Sequence, residues 1–499
     1  MRGLIGTLAT GGSRLGDGNG ASLSGQELLE CATTLADELV AENVRCAGIR
    51  LDNGIEWVCA DLACILAGIP AVPVPLFFTQ GQVNHLVQAT GMDALLGTIT
   101  GAEMAFASFR PRGREVPWWA GPRLHCPVPT GVAKVSFTSG TTGSPRGVCL
   151  PLASQEEIAA TLAASTRSLG MKRHLAVLPL AVLLENVAGV YGAFLSGAEV
   201  ALPPLARLGI RGSSAFDPSA LLDVILEWRP DSLILLPQML KGLVAELKRR
   251  SAHINGLKLL SVGGARTAPD LILEARALGL PVYEGYGLTE ACSVVSLNLP
   301  GADRPGSVGR VLPSRSVRIS PIDEIEVFLP DGVHYLGESP AGAGWMPTGD
   351  LGQLDRNGYL YVHGRRKQVL VTAFGRKVSP EWVESELLAE CALMQAVAVG
   401  DDQPALAALV VPAPGACAQD VAHAIERCNG RLPDYARIAA WRTVPPLTVA
   451  NGMLTPNGRI RRAAVHRQHA GDVAALCRKL QVQSTGANHD VLPEAHPGH

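Results

Sequence analysis

The 499-residue chain has no surplus of either charge: Lys and Arg number 43 against 45 Asp and Glu, for a formal net charge of -2. A chain so balanced is not drawn as a whole toward nucleic acid or an anionic membrane, so any polyanion it binds must be met locally. It also lacks the C-x-x-C pairs of thiol-redox and zinc sites. Its 11 cysteines are scattered, and an odd number cannot close into a complete set of internal disulfides, so a reducing compartment, the cytoplasm, is expected. Long apolar runs are missing too. The longest, Leu175 to Phe194, is broken by Pro179, Glu185 and Asn186, which argues against an integral membrane segment. No continuous apolar stretch with a small-residue cleavage site follows Arg2, so no secretion signal is read.

What the chain does have is V-S-F-T-S-G-T-T-G-S-P-R-G-V from Val135 to Val148, a strand-like entry into a loop of hydroxyls and glycines. Ser136, Thr138, Ser139, Thr141 and Thr142 offer hydroxyl donors, while Gly140 and Gly143 let backbone N–H groups approach an anion with no Cβ in the way. Five hydroxyls in seven residues exceed what a polar surface turn needs, and the composition suits phosphate oxygens. It is not a Walker A loop, because Pro145 follows the glycines and the nearby cation is Arg146.

The length implies two to four structural units. Residues 1–22, rich in Gly and Ser, read as a mobile lead-in. Ser24 and Glu27 form a capping-box pattern ahead of Leu28, Ala32, Leu35 and Leu39, which repeat at helical spacing until near Glu42. From Ser219 the chain alternates: a helix ending at Pro230, a strand over Ser232 to Leu236, a helix with Leu240, Leu243 and Leu247, and a strand over Leu257 to Val262. Next come Gly263-Gly264-Ala265, a helix with Pro269 in its first turn and Gly279 beyond its end, and a strand from Pro281 to Glu284. This β-α-β-α-β order predicts a parallel sheet with ligands collecting beyond the carboxyl ends of its strands. After Asp303, short strands such as Glu324 to Phe328 and Tyr359 to Val362 predict a small antiparallel or barrel-like subdomain. An α+β pattern from Gln368 to about Gln468 reads as a separate small domain, and the polar end as a disordered tail.

The loop resembles the phosphate loop of the acyl-adenylate-forming superfamily, which includes acyl-CoA synthetases, nonribosomal adenylation domains and firefly luciferase. Further segments carry the same resemblance. Gly285-Tyr286-Gly287-Leu288-Thr289-Glu290 looks like its Y-G-x-T-E motif, which implies Tyr286 against adenine, Thr289 at the α-phosphate and Glu290 on Mg²⁺. Those residue types suit the tasks, since a hard cation takes carboxylate oxygen and an aromatic face suits a purine. Gly263, Gly264 and Ala265 are similar to the glycine pair at the nucleotide and acyl pocket. Thr348-Gly349-Asp350 resembles the T-G-D motif at the ribose, and fourteen residues past Asp350 comes Gly364-Arg365, whose Arg also reaches the ribose in the family. By the same resemblance Lys367 falls on the interdomain hinge, and V-T-A-F-G-R-K-V-S-P places Gly375 where the pantetheine tunnel passes.

The resemblance covers roughly residues 24 to 470 and implies an α/β fold: a large N-terminal domain of layered α/β subdomains plus a small barrel-like subdomain, hinged to a small α+β C-terminal domain. The expected boundaries are a lead-in at 1–22, an AMP-binding domain at 23–365, a mobile domain at 366–479 with its hinge near Lys367, and a disordered tail at 480–499. L-P-L-A-V-L-L-E-N at Leu178 to Asn186 and N-G-M-L-T-P-N-G-R-I-R-R at Asn451 to Arg462 look like the long-chain fatty acyl-CoA synthetase branch.

The chain departs from that pattern in three places. Val182 stands where long-chain enzymes often have His. Arg146 and Arg459 stand where the phosphate loop and the small domain usually have Lys, and a guanidinium matches an ammonium in charge but not in shape. The resemblance implies an enzyme that uses ATP, Mg²⁺ and CoA to turn a medium- or long-chain fatty or similarly apolar carboxylic acid into acyl-AMP and then a CoA thioester. One alternative passes the acyl group to an acyl carrier protein, but the insertion typical of such ligases is missing between Glu290 and Gly306. Another is a non-catalytic nucleotide- or acyl-binding relative, for which Arg459 is the argument.

Overall fold

The computed structural model describes all residues except 1–2, 11, 19, 98–105, 110–115, 121–123, 139–145, 213–214, 456–457 and 487–499. The chain divides into two compact units, one built from residues 1–348 and 353–361, the other from 349–352 and 362–499.

The larger unit holds a nine-stranded and a seven-stranded sheet. In the first, strands Arg173–Leu175, Ser232–Leu235, Leu259–Val262 and Val282–Tyr286 lie side by side and parallel. Helix Pro218–Trp228 leads into the second of these strands, and helices Pro237–Arg250 and Pro269–Ala277 connect the last three, as the alternation predicts. Each of these helices opens with Pro in its first turn, where the missing N–H costs nothing. Asp217 caps the first by accepting from Ser219 N at 2.9 Å. Helix Gly25–Ala41 carries the expected capping box of Ser24 and Glu27, and Leu28, Ala32, Leu35 and Leu39 are its buried face.

The described part of residues 1–22 is not the lead-in expected from their composition. Leu4–Thr10 is a helix with Leu4 and Leu8 in the core, and Arg14–Gly16 joins the nine-stranded sheet, parallel to Glu199–Ala201. The cause is four leucines, at 4, 8, 15 and 23, set among small polar residues and all buried. Packing there is close: a Cβ on Gly25 would stand 2.5 Å from the Leu8 carbonyl oxygen.

The apolar stretch from Leu175 to Phe194 folds as the end of a strand, the π-helix Leu184–Tyr191 and the short helix Gly192–Leu195; among the described residues no helix is long and apolar enough to cross a membrane. In the seven-stranded sheet, Val132–Thr138 pairs antiparallel with Arg146–Pro151, so the two strands bracket the hydroxyl-rich loop. Farther on, Val317–Ile319 pairs antiparallel with Glu324–Leu329.

The smaller unit is α+β: strands Leu393–Val399, Leu406–Pro412 and Ile438–Thr443 form a sheet with apolar clusters on both faces. Its last helix, Ala470–Gly486, runs past residue 480, where the sequence reading starts the tail, because Leu476 and Leu480 are buried in one of those clusters. Residues 487–499 of that tail lie outside the described residues.

Candidate active site

The phosphate-loop residues Ser139, Gly140, Thr141, Thr142 and Gly143 lie outside the described residues, but both ends of the loop are described. Thr138 Oγ1 donates to the Arg146 carbonyl at 3.4 Å, closing the base of the hairpin. Arg146 is exposed; its guanidinium lies 3.6 Å from the centre of the Tyr335 ring and 2.6 Å from Glu338 Oε1.

Two neighbouring parallel strands deliver the next residues. Gly263, Gly264 and Ala265 follow Leu259–Val262, and Tyr286 ends Val282–Tyr286, so both segments sit at carboxyl ends, where open α/β sheets bind ligands. A Cβ on Gly263 would stand 3.1 Å from the Gly285 carbonyl oxygen, and Gly264 has φ +82°, so the glycine pair serves both close approach and left-handed backbone. A Cβ on Gly287 would fall 1.5 Å from the Ser293 carbonyl oxygen, which bars any side chain there. That close approach turns the chain into the 3₁₀ turn Thr289–Ala291, which presents Thr289 and Glu290, both half-buried. The Tyr335 hydroxyl donates to Glu290 Oε1 at 3.0 Å, and burial together with the Glu290 charge pushes that phenol up to about 12. Glu290 offers one hard carboxylate, the share of protein donors that Mg²⁺ takes when substrate phosphates supply the rest, so the donor chemistry fits that ion.

In the smaller unit, Arg365 Nε lies 2.8 Å from Asp350 Oδ1, so the two ribose candidates are in contact. Lys367 is exposed in the turn Arg366–Gln368. Gly375 has φ +73° in the connection between strands Leu370–Val371 and Lys377–Val378, with open space around it and Phe374 exposed beside it. Arg459 is exposed; its N–H donates to Thr455 Oγ1 at 3.0 Å and its carbonyl accepts from Thr455 N at 2.7 Å. Nearby Arg462 is committed elsewhere, to buried Glu384 at 2.5 Å. Lys367, Gly375 and Arg459 thus occupy three separate loops.

Several residues escape the sequence reading. Glu284, two residues before Tyr286, is buried and accepts from Thr267 N at 3.1 Å, and burial pushes its carboxyl up to about 7. Lys134, on the strand entering the phosphate loop, is fully buried 2.9 Å from Asp61; it also donates to Asn186, while Tyr191 donates to Asp61 at 2.5 Å. Glu185 accepts from Leu178 N at 2.8 Å and contacts His174 Nε2 at 2.9 Å, which pins the Leu178–Asn186 segment. A lone Lys inside an apolar strand was the available signal, since a buried cation requires a partner. Tyr335 carried none, as it sits in a stretch without periodicity.

The chain is similar to known proteins along most of its length. Residues 13–338 match the family model described as AMP-binding enzyme, and residues 367–481 match that of the AMP-binding enzyme C-terminal domain. A long-chain-fatty-acid–CoA ligase of Mycobacterium bovis is 25% identical over 85% of this chain and 86% of its own length. Among solved structures, an anthranilate CoA ligase in complex with anthranoyl-AMP superposes with a TM-score of 0.76 at 18% identity, covering 94% of this chain and 97% of its own. An O-succinylbenzoate coenzyme A synthetase from Bacillus subtilis, in complex with ATP and magnesium, gives 0.73 at 23% identity over 93% and 99% of the two chains. At these identities the structural likeness speaks to the fold.

Proposed function

Since this chain belongs to the AMP-binding enzymes of the acyl-adenylate-forming superfamily, and is an acid–thiol ligase using ATP, Mg²⁺ and CoA, we propose that its acid is a medium- or long-chain fatty acid or a similarly apolar one. The observation that carries this reading is the match along most of the chain to a long-chain-fatty-acid–CoA ligase. It is joined by the resemblance of Leu178–Asn186 and Asn451–Arg462 to that branch. Val182 in place of the frequent His is a departure from that branch that leaves the segment less polar.

A carboxylate resists nucleophiles because of its charge and because oxide is a poor leaving group; adenylation removes both obstacles. In this reading a carboxylate oxygen attacks the α-phosphorus of ATP and pyrophosphate leaves. Thr138 and the loop at 139–143 hold the outer phosphates with Arg146, Tyr286 lies against adenine, and Asp350 and Arg365 bind the ribose. Thr289 and Arg459 stabilise the charge that builds on the α-phosphate, where preorganised donors act most strongly. Glu290 would hold the Mg²⁺ that neutralises the departing pyrophosphate. The CoA thiol then attacks the acyl carbon and AMP leaves, with Lys367 as the hinge and Gly375 beside the thiol's path. We place the reaction in the cytoplasm, as the odd number of scattered cysteines in the sequence suggests.

The test is CoA-thioester formation across straight-chain acids of six to eighteen carbons, with anthranilate, indoleacetate and succinylbenzoate in parallel. The reading expects kcat/KM to rise with chain length and to exceed that of the aryl acids. A preference for an aryl acid, or transfer to a carrier protein in place of CoA, contradicts it.

A further inference from the structure

The strand Arg146–Pro151 that leaves the phosphate loop is accompanied by a short run of chain from far along the sequence. Leu336 N donates to the Gly147 carbonyl and Cys149 N to the His334 carbonyl, both at 2.8 Å, and Val148 and Tyr335 are bridge partners. This ladder fixes Tyr335 beside the loop exit. Its ring faces the Arg146 guanidinium at 3.6 Å, and its hydroxyl reaches Glu290 Oε1 at 3.0 Å. One side chain therefore touches both the phosphate-loop cation and the carboxylate assigned to Mg²⁺.

We propose that Tyr335 is a positioning residue for adenylation: its ring holds Arg146 and its hydroxyl orients Glu290, so that cation and metal ligand are spaced for one bound triphosphate. The inference rests on the reading of Arg146 and Glu290 given above. A direct Arg146–Glu290 ion pair would make phosphate and metal compete with the protein's own charges. The tyrosine separates them, offering its face to the cation and a neutral donor to one carboxylate oxygen, which leaves the other for a metal. Arg146 also pairs with Glu338, but both side chains are about half exposed, at 46% and 54%, so a phosphate can displace this screened contact. The arrangement accounts for Arg at a position where Lys is usual, since a planar guanidinium stacks on a ring and an ammonium does not.

The experiment measures ATP binding by calorimetry at a series of Mg²⁺ concentrations, and Mn²⁺ binding with ATP by electron paramagnetic resonance. Tyr335→Phe keeps the ring and removes the hydroxyl; the Mg²⁺ or Mn²⁺ needed for half-saturation should rise about 10- to 100-fold, the weight of one hydrogen bond to a charged group. Its metal-free ATP affinity should stay unchanged. Tyr335→Leu should in addition weaken metal-free ATP binding, and Arg146→Lys should share that second loss. Glu290→Gln is the parallel control. If it raises the metal requirement and Tyr335→Phe does not, the role of Tyr335 is overturned; if Glu290→Gln itself leaves the requirement unchanged, the metal assignment falls and takes the inference with it.

Discussion

Arg365 Nε stands 2.8 Å from Asp350 Oδ1, a contact between two residues that the sequence offers only as members of separate short motifs. Asp350 is buried and Arg365 half exposed, so the pair presents a fixed acceptor beside a reachable donor fork. Two ribose hydroxyls donating to a charged acceptor are worth roughly 1.5–3 kcal/mol each. Asp350→Ala should therefore raise the KM for ATP at least ~100-fold while changing the KM for the acid little. An unaltered ATP KM in a folded variant would count against the ribose assignment.

With Gly375 proposed beside the thiol's path, its substitution should separate the half-reactions. Its φ of +73° strains any L side chain, by roughly 1 kcal/mol, although no atom crowds the position. Gly375→Asn, which tolerates that backbone, serves as the control for strain. Gly375→Leu should cut thioester formation from supplied acyl-AMP by about 10²-fold through obstruction of the thiol's approach, with pyrophosphate release nearly intact. Equal loss in both halves contradicts the tunnel placement.

Glu284 makes stability depend on pH. Burial raises its folded carboxyl to about 7 from an ordinary 4.5. A group raised on folding stabilises fully below its unfolded value, and that contribution is lost as pH rises through the folded value, here between about 4.5 and 7. The loss is on the order of 3 kcal/mol for one buried group. Thermal midpoints measured from pH 5 to 8 should fall less in Glu284→Gln than in the parent, because the amide does not titrate. Parallel curves would mean the carboxyl titrates normally.

Arg459 carries the account of adenylation in the smaller unit. Arg459→Ala should slow pyrophosphate release about 10²–10³-fold, the weight of one preorganised charge contact to a transition state, and spare thioester formation from supplied acyl-AMP. Arg459→Lys then reports the fit of the pocket: a faster variant marks a site compromised by the larger cation, a slower one a site shaped for it. Parent-like adenylation by Arg459→Ala removes the residue from catalysis.

Local signals made much of this legible. The helices opening at Pro218, Pro237 and Pro269 and the short apolar strands between them announce their own ends, so the parallel sheet and the loops beyond it follow from neighbours in sequence. The Ser24–Glu27 capping box is local too. Long-range partnerships were not legible: Tyr191 and Asp61 are 130 residues apart, and neither belongs to a periodic pattern that names the other. Tyr335 reaches Glu290 across 45 residues from a segment with no strand or helix pattern. The leucines at 4, 8, 15 and 23 were masked by the Gly and Ser around them, since composition averages away a buried face made of few residues.

The central claim is that an acyl-adenylate forms and is then consumed by CoA. The direct measurement supplies a fatty acid with both carboxyl oxygens as ¹⁸O, together with ATP, Mg²⁺ and CoA, and reads the products by mass spectrometry. The account predicts one ¹⁸O in the phosphate of AMP and one in the thioester carbonyl, because the bridging oxygen leaves with AMP. Unlabelled AMP, or ADP as the nucleotide product, would contradict it.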